Sequence, residues 1–410
     1  MTGDLLIRSV RPWPTSTDAP AVDVLCADGL VASFGVGLAA PPGVSVVDGG
    51  GGVLLPSFAD VHAHLDSTRL GLPFRPHSAG PGLAELIDDD RRNWRSAERG
   101  VAERATHTLG LTIAAGATIV RSHAQVDVDS GLDKLEGVLA AREAHARRAT
   151  VEVVAFPQCG ILREKGTADL LEAALRAGAD LVGGLDPAGY DRDPVGHLDV
   201  VFGLADKHQR GVDVHLHDAG SLGAFQIELI CERVAALDMR GEVTVSHAFA
   251  LSSVDAERQR ELIGLLAEHD VAVTTVAPGA REPLPLRELR RAGVRLGLGQ
   301  DGTRDYWSPY GNGDMLDRTW QLAYRSGFRQ DALVEMCADI TTRGGASVVG
   351  RPHGLTEGSP ADLVVVPGDT VTAAVMDRAP RTLVVHGGRV VAAAGELVPD
   401  GGWTSRRLRT

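Results

Sequence analysis

The stretch VLLPSFADVHAHLD, residues 53–66, decides the fold. It is a short apolar run that ends in two histidines at positions i and i+2. Side chains alternate across a strand, so His62 and His64 emerge on the same side of a sheet. A lone pair of this kind is commonly an ordinary polar pair, and it gains meaning from the runs that follow. Seven more have the same character: ATIVRSH from Ala117, VEVVAFPQ from Val151, LVGGLD from Leu181, VDVHLHD from Val212, VTVSHAF from Val243, VAVTTVAP from Val271 and VRLGLGQD from Val294. Segments of helical period separate them. In ERQRELIGLLAEHD (257–270), Leu262, Leu265 and Leu266 share one face, and in AFQIELICERVAAL (224–237), Phe225, Leu229 and Val234 do so approximately. Strands that alternate with helices form a parallel sheet, and eight of them predict a closed (β/α)8 TIM barrel.

Both ends of the chain read differently. DLLIRSV (4–10), DVLCADG (23–29) and VSVVDGG (44–50) precede the barrel, while ADLVVVPG (361–368) and RTLVVHGGRVVAAAGE (381–396) follow it. These short alternating runs predict one small β-sandwich domain built from both termini, 1–52 and 357–404, beside a metal-dependent barrel catalytic domain, 53–356. Two unrelated sheet extensions on the barrel are the alternative. The final SRRLRT reads as a solvated tail, and no fixed repeat or low-complexity segment is present.

With 410 residues the chain exceeds the size at which one core stops growing, so a large domain plus a smaller unit is the natural organisation. Hydrophobic residues at 44% against 23% charged give globular composition, and the formal charge of −13 excludes nucleic acid as an expected partner. The N-terminus has no basic segment followed by an apolar one, and no apolar run approaches membrane-spanning length. The expectation is a cytoplasmic protein with no membrane partner. Cys26, Cys159, Cys231 and Cys337 form no CxxC pair and suit a reducing compartment. A homo-oligomer is admitted but not required.

The chemistry sits at strand ends. The fifth run carries His215, the sixth His247 and the eighth Asp301, all near the carboxyl ends of strands, where barrel active sites assemble. Imidazoles and a carboxylate form a donor set suited to zinc or ferrous iron with one position left for water. His123, ending the second run, has no required role.

From PSFADVHAHLD through VHLHD, VSHA and LGQDG to EGSPADLVVV, the pattern resembles the amidohydrolase superfamily, and AFPQ and DYWSPYGNGDML make it most similar to the cytosine deaminase group. The resemblance implies that His62, His64, His215 and Asp301 hold the metal, with Asp301 also counted as catalytic, and that His247 polarises the bound hydroxide or the substrate. Binuclear relatives need a lysine at the end of strand four. LVGGLDPAG has none, which implies one divalent ion, zinc or iron. Bound to such an ion, a water can reach a pKa of about 7 and attack an amidine carbon.

The leaving amine then needs a proton. The family places a glutamate three residues after the strand-five histidine, and here Asp218 stands there, one methylene shorter. Either Asp218 approaches by backbone adjustment or His217, also a candidate substrate contact, shares the transfer; a helix cap is the plain alternative for Asp218. The resemblance further implies ring contacts from Gln158 and Trp307. Cys159 and Gly302 stand where cytosine deaminases carry acidic side chains, so cytosine itself is an expected poor substrate. Arg69 and Arg304 offer a weak hint of an anionic or carbonyl-rich one. The expected activity is hydrolytic deamination of an aminated pyrimidine, pterin or triazine. The alternatives are hydrolysis of a cyclic amide or an N-alkylamino heterocycle and, in another class, an inactive barrel serving as a binding module.

Overall fold

A computed structural model describes residues 4–14, 20–279 and 281–399. Eight parallel strands follow one another in chain order around a barrel: β1 (Phe58–Ala63), β2 (Ala117–Gln125), β3 (Thr150–Phe156), β4 (Leu181–Leu185), β5 (Gly211–His215), β6 (Val243–Ser246), β7 (Ala272–Thr275) and β8 (Leu296–Leu298). The ring closes where Ala63 bridges Asp301 in parallel and the Asp301 N–H donates to the His62 carbonyl at 2.7 Å. Helices between the strands cover the outside, as in the (β/α)8 fold.

The helical faces follow from spacing. Helix Ala256–Glu268 buries Leu262, Ile263 and Leu266, with Leu265 packed partly against them. Helix Gly220–Leu237 buries Leu229 and Val234 as expected, but Phe225 is exposed and Ile227, Ile230 and Cys231 take the inner face instead. Leu222 and Leu237 are also exposed, so apolar residues stand on both faces and periodicity alone did not select the inner one.

Among the described residues nine further strands form a second sheet from both ends of the chain, including Leu5–Pro12, Val22–Ala27, Leu30–Gly35 and Leu363–Val366. Val53–Pro56, read above as the opening of the first barrel strand, belongs to this sheet: it pairs antiparallel with Leu363–Val366 and parallel with Arg11 and Pro12. All four residues are buried, so no alternation marks the break, which falls at Ser57. Strand Leu30–Gly35 was missed. Its signal was the Asp28-Gly29 pair, whose positive φ values of 52° and 80° make a two-residue hairpin turn.

Strand alternation divides the two cores. Leu363 and Val365 join the sheet's own core with Ile7, Val24 and Leu54, while Val364 and Val366 join the barrel's outer core. Residues 400–404, expected in the small domain, and the tail 405–410 lie outside the described residues. Among the described residues no helix is long and apolar enough to cross a membrane.

Candidate active site

The barrel interior is layered. Ala59, Val61, Ile119 and Ala272 meet Ala346, Val348 and Val349 in an apolar plug at the amino-terminal end. Above it, Arg121 donates to Asp213 at 3.1 Å and to the Thr244 hydroxyl at 3.0 Å, and pairs with Glu152 at 2.9 Å. Two residues further along their strands, His123, His215 and Ser246 form the next layer, as side-chain alternation requires. His62 joins them because β1 shifts register against β2 between Asp60 and Ala63, so that Val61 packs in the plug and the next residue reaches the histidines.

Donor atoms of His62, His64 and Asp301 converge at the mouth, His62, His215 and His247 form a second trio that shares His62, and His215 meets the first trio at His64. His64 Nε2 lies 3.4 Å from Asp301 Oδ1 and 3.3 Å from His215 Nε2, and His62 Nε2 lies 3.8 Å from the same Asp301 oxygen. Ligands held at about 2.0–2.2 Å from one centre stand at separations of this size. His62 Nδ1 meets the Ser246 hydroxyl at 3.0 Å, and that hydroxyl donates to Asp213 Oδ1 at 2.6 Å. This chain holds the proton on Nδ1 and leaves Nε2 bare toward the mouth.

Among the described residues, His62 Nε2, the atom that faces Asp301, is buried without a hydrogen-bond partner, as are both nitrogens of His247 and of His123 and the Nδ1 of His215 on the side away from His64. Such orphans are expensive unless a cation or ligand completes them. Burial, then the neighbouring imidazoles, pushes the pKa of His62, His215 and His247 well below the usual value, so the rings are neutral as ligation requires. Burial works to raise Asp301, but the cationic groups around it, His217 and Arg318 among them, hold its carboxyl below the ordinary range. The residues therefore fit a divalent ion. His62, His123 and Asp213 also cluster, but there the Arg121 guanidinium already sits on the carboxylate.

The backbone is strained at the same rim. Asp186, His247 and Asp301, just beyond β4, β6 and β8, adopt φ of 34°, 68° and 64°. Non-glycine residues hold such angles only when the surroundings impose them, and they gather at functional sites.

A cavity of about 440 Å³ opens beside the cage, and His64, His215, His247 and Asp301 line it together with Gln158, His217 and Trp307. Gln158 directs its amide nitrogen to Asp90 at 3.4 Å, and Asp90 is paired with the fully buried Lys134 at 2.6 Å. Phe156 stacks on His215 with ring centroids 4.1 Å apart.

Asp218 does not line the cavity. Its Oδ2 accepts the Gly189 N–H and the Gln226 amide, both at 2.8 Å, and the helix beginning at Gly220 takes no side-chain cap. His217 does line it, with Nδ1 held by Asp186 Oδ2 at 2.8 Å. Burial works against the charged imidazolium, but Asp186 outweighs it and raises the His217 pKa. Arg69 is buried against Glu98 and Tyr306, and Arg304 is exposed, so neither lines this cavity.

Sequence reasoning missed Asp186, Asp305 and Arg318. Asp186 ended a quoted strand run and could have been found there. Arg318 reaches the cavity from a helix, spanning the Gln300 and Val276 carbonyls at the ends of β8 and β7.

A histidine and carboxylate cage beside a cavity at the mouth of a parallel barrel defines a barrel hydrolase. The chain belongs to the amidohydrolase family, whose sequence model matches residues 45–392. It is 30% identical over 359 residues to N-isopropylammelide isopropyl amidohydrolase of Pseudomonas sp. strain ADP, covering 84% of this chain and 87% of that one. The crystal structure of N-isopropylammelide isopropylaminohydrolase from Burkholderia multivorans superposes with a TM-score of 0.91 at 40% identity, over 97% of this chain and all of that one. 5-Methylcytosine deaminase from Klebsiella pneumoniae, solved with phosphonocytosine, gives 0.78 at 25% identity over 94% and 97%. The Escherichia coli K12 protein YahJ is 35% identical over 274 residues, 66% of this chain and 59% of its own length.

Proposed function

We propose that the chain hydrolyses the bond between a ring carbon and an exocyclic amine on a hydroxylated nitrogen heterocycle, triazines first among them. The observation that carries the reading is His217, held by Asp186, lining the same cavity as the histidine and carboxylate cage. His62, His64, His215 and Asp301 would hold one divalent ion, zinc or iron. When bound, the ion lowers the pKa of a water so that it can attack near neutral pH.

The chain's own residues do the rest. Asp186 holds the His217 proton on Nδ1, so Nε2 accepts the proton of the attacking water. A C–O bond forms at the ring carbon, the C–N bond breaks, and His217 returns the proton to the leaving nitrogen. The products are a neutral amine and a ring with one more hydroxyl. His247 donates to the ring or to the attacking oxygen, while Gln158 and Trp307 hold the heterocycle.

Loss of an alkylamine is favoured over loss of ammonia by the two N-isopropylammelide hydrolases and by the apolar wall of Leu86, Phe249, Val276 and Pro278 in the cavity. Ammonia release from a cytosine-like or pterin-like ring is the second reading, favoured by the 5-methylcytosine deaminase. The test incubates protein loaded with zinc or iron with amino- and alkylamino-triazines, pyrimidines and pterins, and identifies the amine and the ring product by mass. Release of amine with the ring intact is expected. A ring-opened acid, or no hydrolysis of any of these compounds, would reject the proposal.

A further inference from the structure

The loop after β8 holds a carboxyl that no step above uses. Asp305 is 5% exposed and lines the cavity beside Asp301 and Gly302. Its two oxygens are in unlike situations. Oδ1 accepts the backbone N–H groups of Trp307 and Ser308, both at 2.8 Å, and so closes a turn. Among the described residues Oδ2 has only the Ser67 hydroxyl, at 3.5 Å, and that hydroxyl is also 3.4 Å from the His64 carbonyl. Burial first of all, and then the charge of Asp301, pushes the carboxyl up to about 7 against the two backbone bonds.

Gly302 explains how the free oxygen gets there. A Cβ built on Gly302 would lie 1.8 Å from Asp305 Oδ2. The carboxyl therefore occupies the volume into which any side chain following Asp301 would project, the position read above as lacking an acidic ring contact. The acid is supplied from three residues downstream.

We infer that Asp305 Oδ2 is the ring-holding acid of this cavity, that it takes the N–H or oxo edge of a hydroxylated heterocycle, and that Gly302 is bare to admit it. This rests on the proposed hydrolase function. A lactam edge of such a ring presents N–H beside C=O. The carboxylate accepts from the N–H, and the neutral acid donates to the oxygen. Ring substrates lacking that edge leave a buried carboxyl unpaired and are disfavoured for that reason.

Asn at 305 separates this role from the turn, because its Oδ1 can still accept both backbone N–H groups while the second oxygen becomes an NH2. Cyanuric acid, a ring with three lactam edges, is titrated calorimetrically into metal-loaded wild type, Asp305→Asn, Gly302→Ala and the double variant, with kcat/KM, metal content and melting temperature measured alongside. Asp305→Asn should bind about 10- to 100-fold more weakly with metal content and melting temperature unchanged. Gly302→Ala, which displaces the same oxygen, should lose a comparable amount, and the double variant should be no worse than the weaker single. Wild-type affinity in Asp305→Asn, with wild type still releasing amine, would overturn this assignment and leave the hydrolase reading standing. A wild type that neither binds the ring nor releases amine from any heterocycle would overturn both.

Discussion

At the scale of single residues, the mechanism turns on which neighbour of His215 moves the proton. Asp218 spends its Oδ2 on Gly189 and Gln226, whereas His217 stands in the cavity with Asp186 behind it. His217→Ala should keep its metal and lose kcat by a factor on the order of 10² to 10⁴, the usual range for a lost general acid or base. Asp218→Asn should stay within a few-fold of wild type, because an amide oxygen still accepts from both donors. Steady-state rates with metal analysis on the same samples decide it: a large loss at Asp218 with a small one at His217 would reverse the assignment. His62, His64, His215, His247 and Asp301 could be placed at one mouth from the sequence because each ends or follows a strand run, although a register shift rather than alternation turns His62 inward. Asp186 and Asp305 could not be assigned a role that way. Their partners come from a neighbouring strand and from an irregular turn, and neither has a period.

At the scale of elements, β8 shows how glycine positions the cage. A Cβ on Gly299 would lie 2.4 Å from His62 Cβ and 2.5 Å from the His62 carbonyl oxygen, and one on Gly297 would lie 2.5 Å from a Val61 methyl. The LGLG run lets β8 approach β1 closely enough for Asp301 to bond the His62 carbonyl. Gly299→Ala should therefore lower melting temperature, metal content and activity together. Gly264→Ala has open space around it on helix Ala256–Glu268 and should raise stability by about 0.4–1 kcal/mol, which chemical denaturation measures. Equal effects at the two positions would contradict the close-approach reading. The eight barrel strands were legible because short β-branched runs alternate with long periodic segments. The boundary at Ser57 was not, since burial on both faces removes the alternation that would have marked it.

At the scale of the molecule, one strand ties the two sheets together. Leu363–Val366 presents Val364 to the barrel's core and Val365 to the smaller one, so the terminal sheet is packed against the barrel wall. The acidic whole, −13 in formal charge, suits a small neutral ring better than a polyanion. The central claim is that four residues from the ends of β1 and β5 and the loop after β8 hold one ion on which C–N hydrolysis depends. Metal titration tests it most directly: the protein is stripped with a chelator, dialysed, and returned zinc or iron in fractional equivalents while amine release is followed on the best triazine substrate. Activity should vanish on stripping and return linearly up to one equivalent per chain, and His62→Ala or Asp301→Ala should neither retain the ion nor recover. Undiminished turnover by stripped protein, or activity that rises to a second tightly bound equivalent, would contradict it.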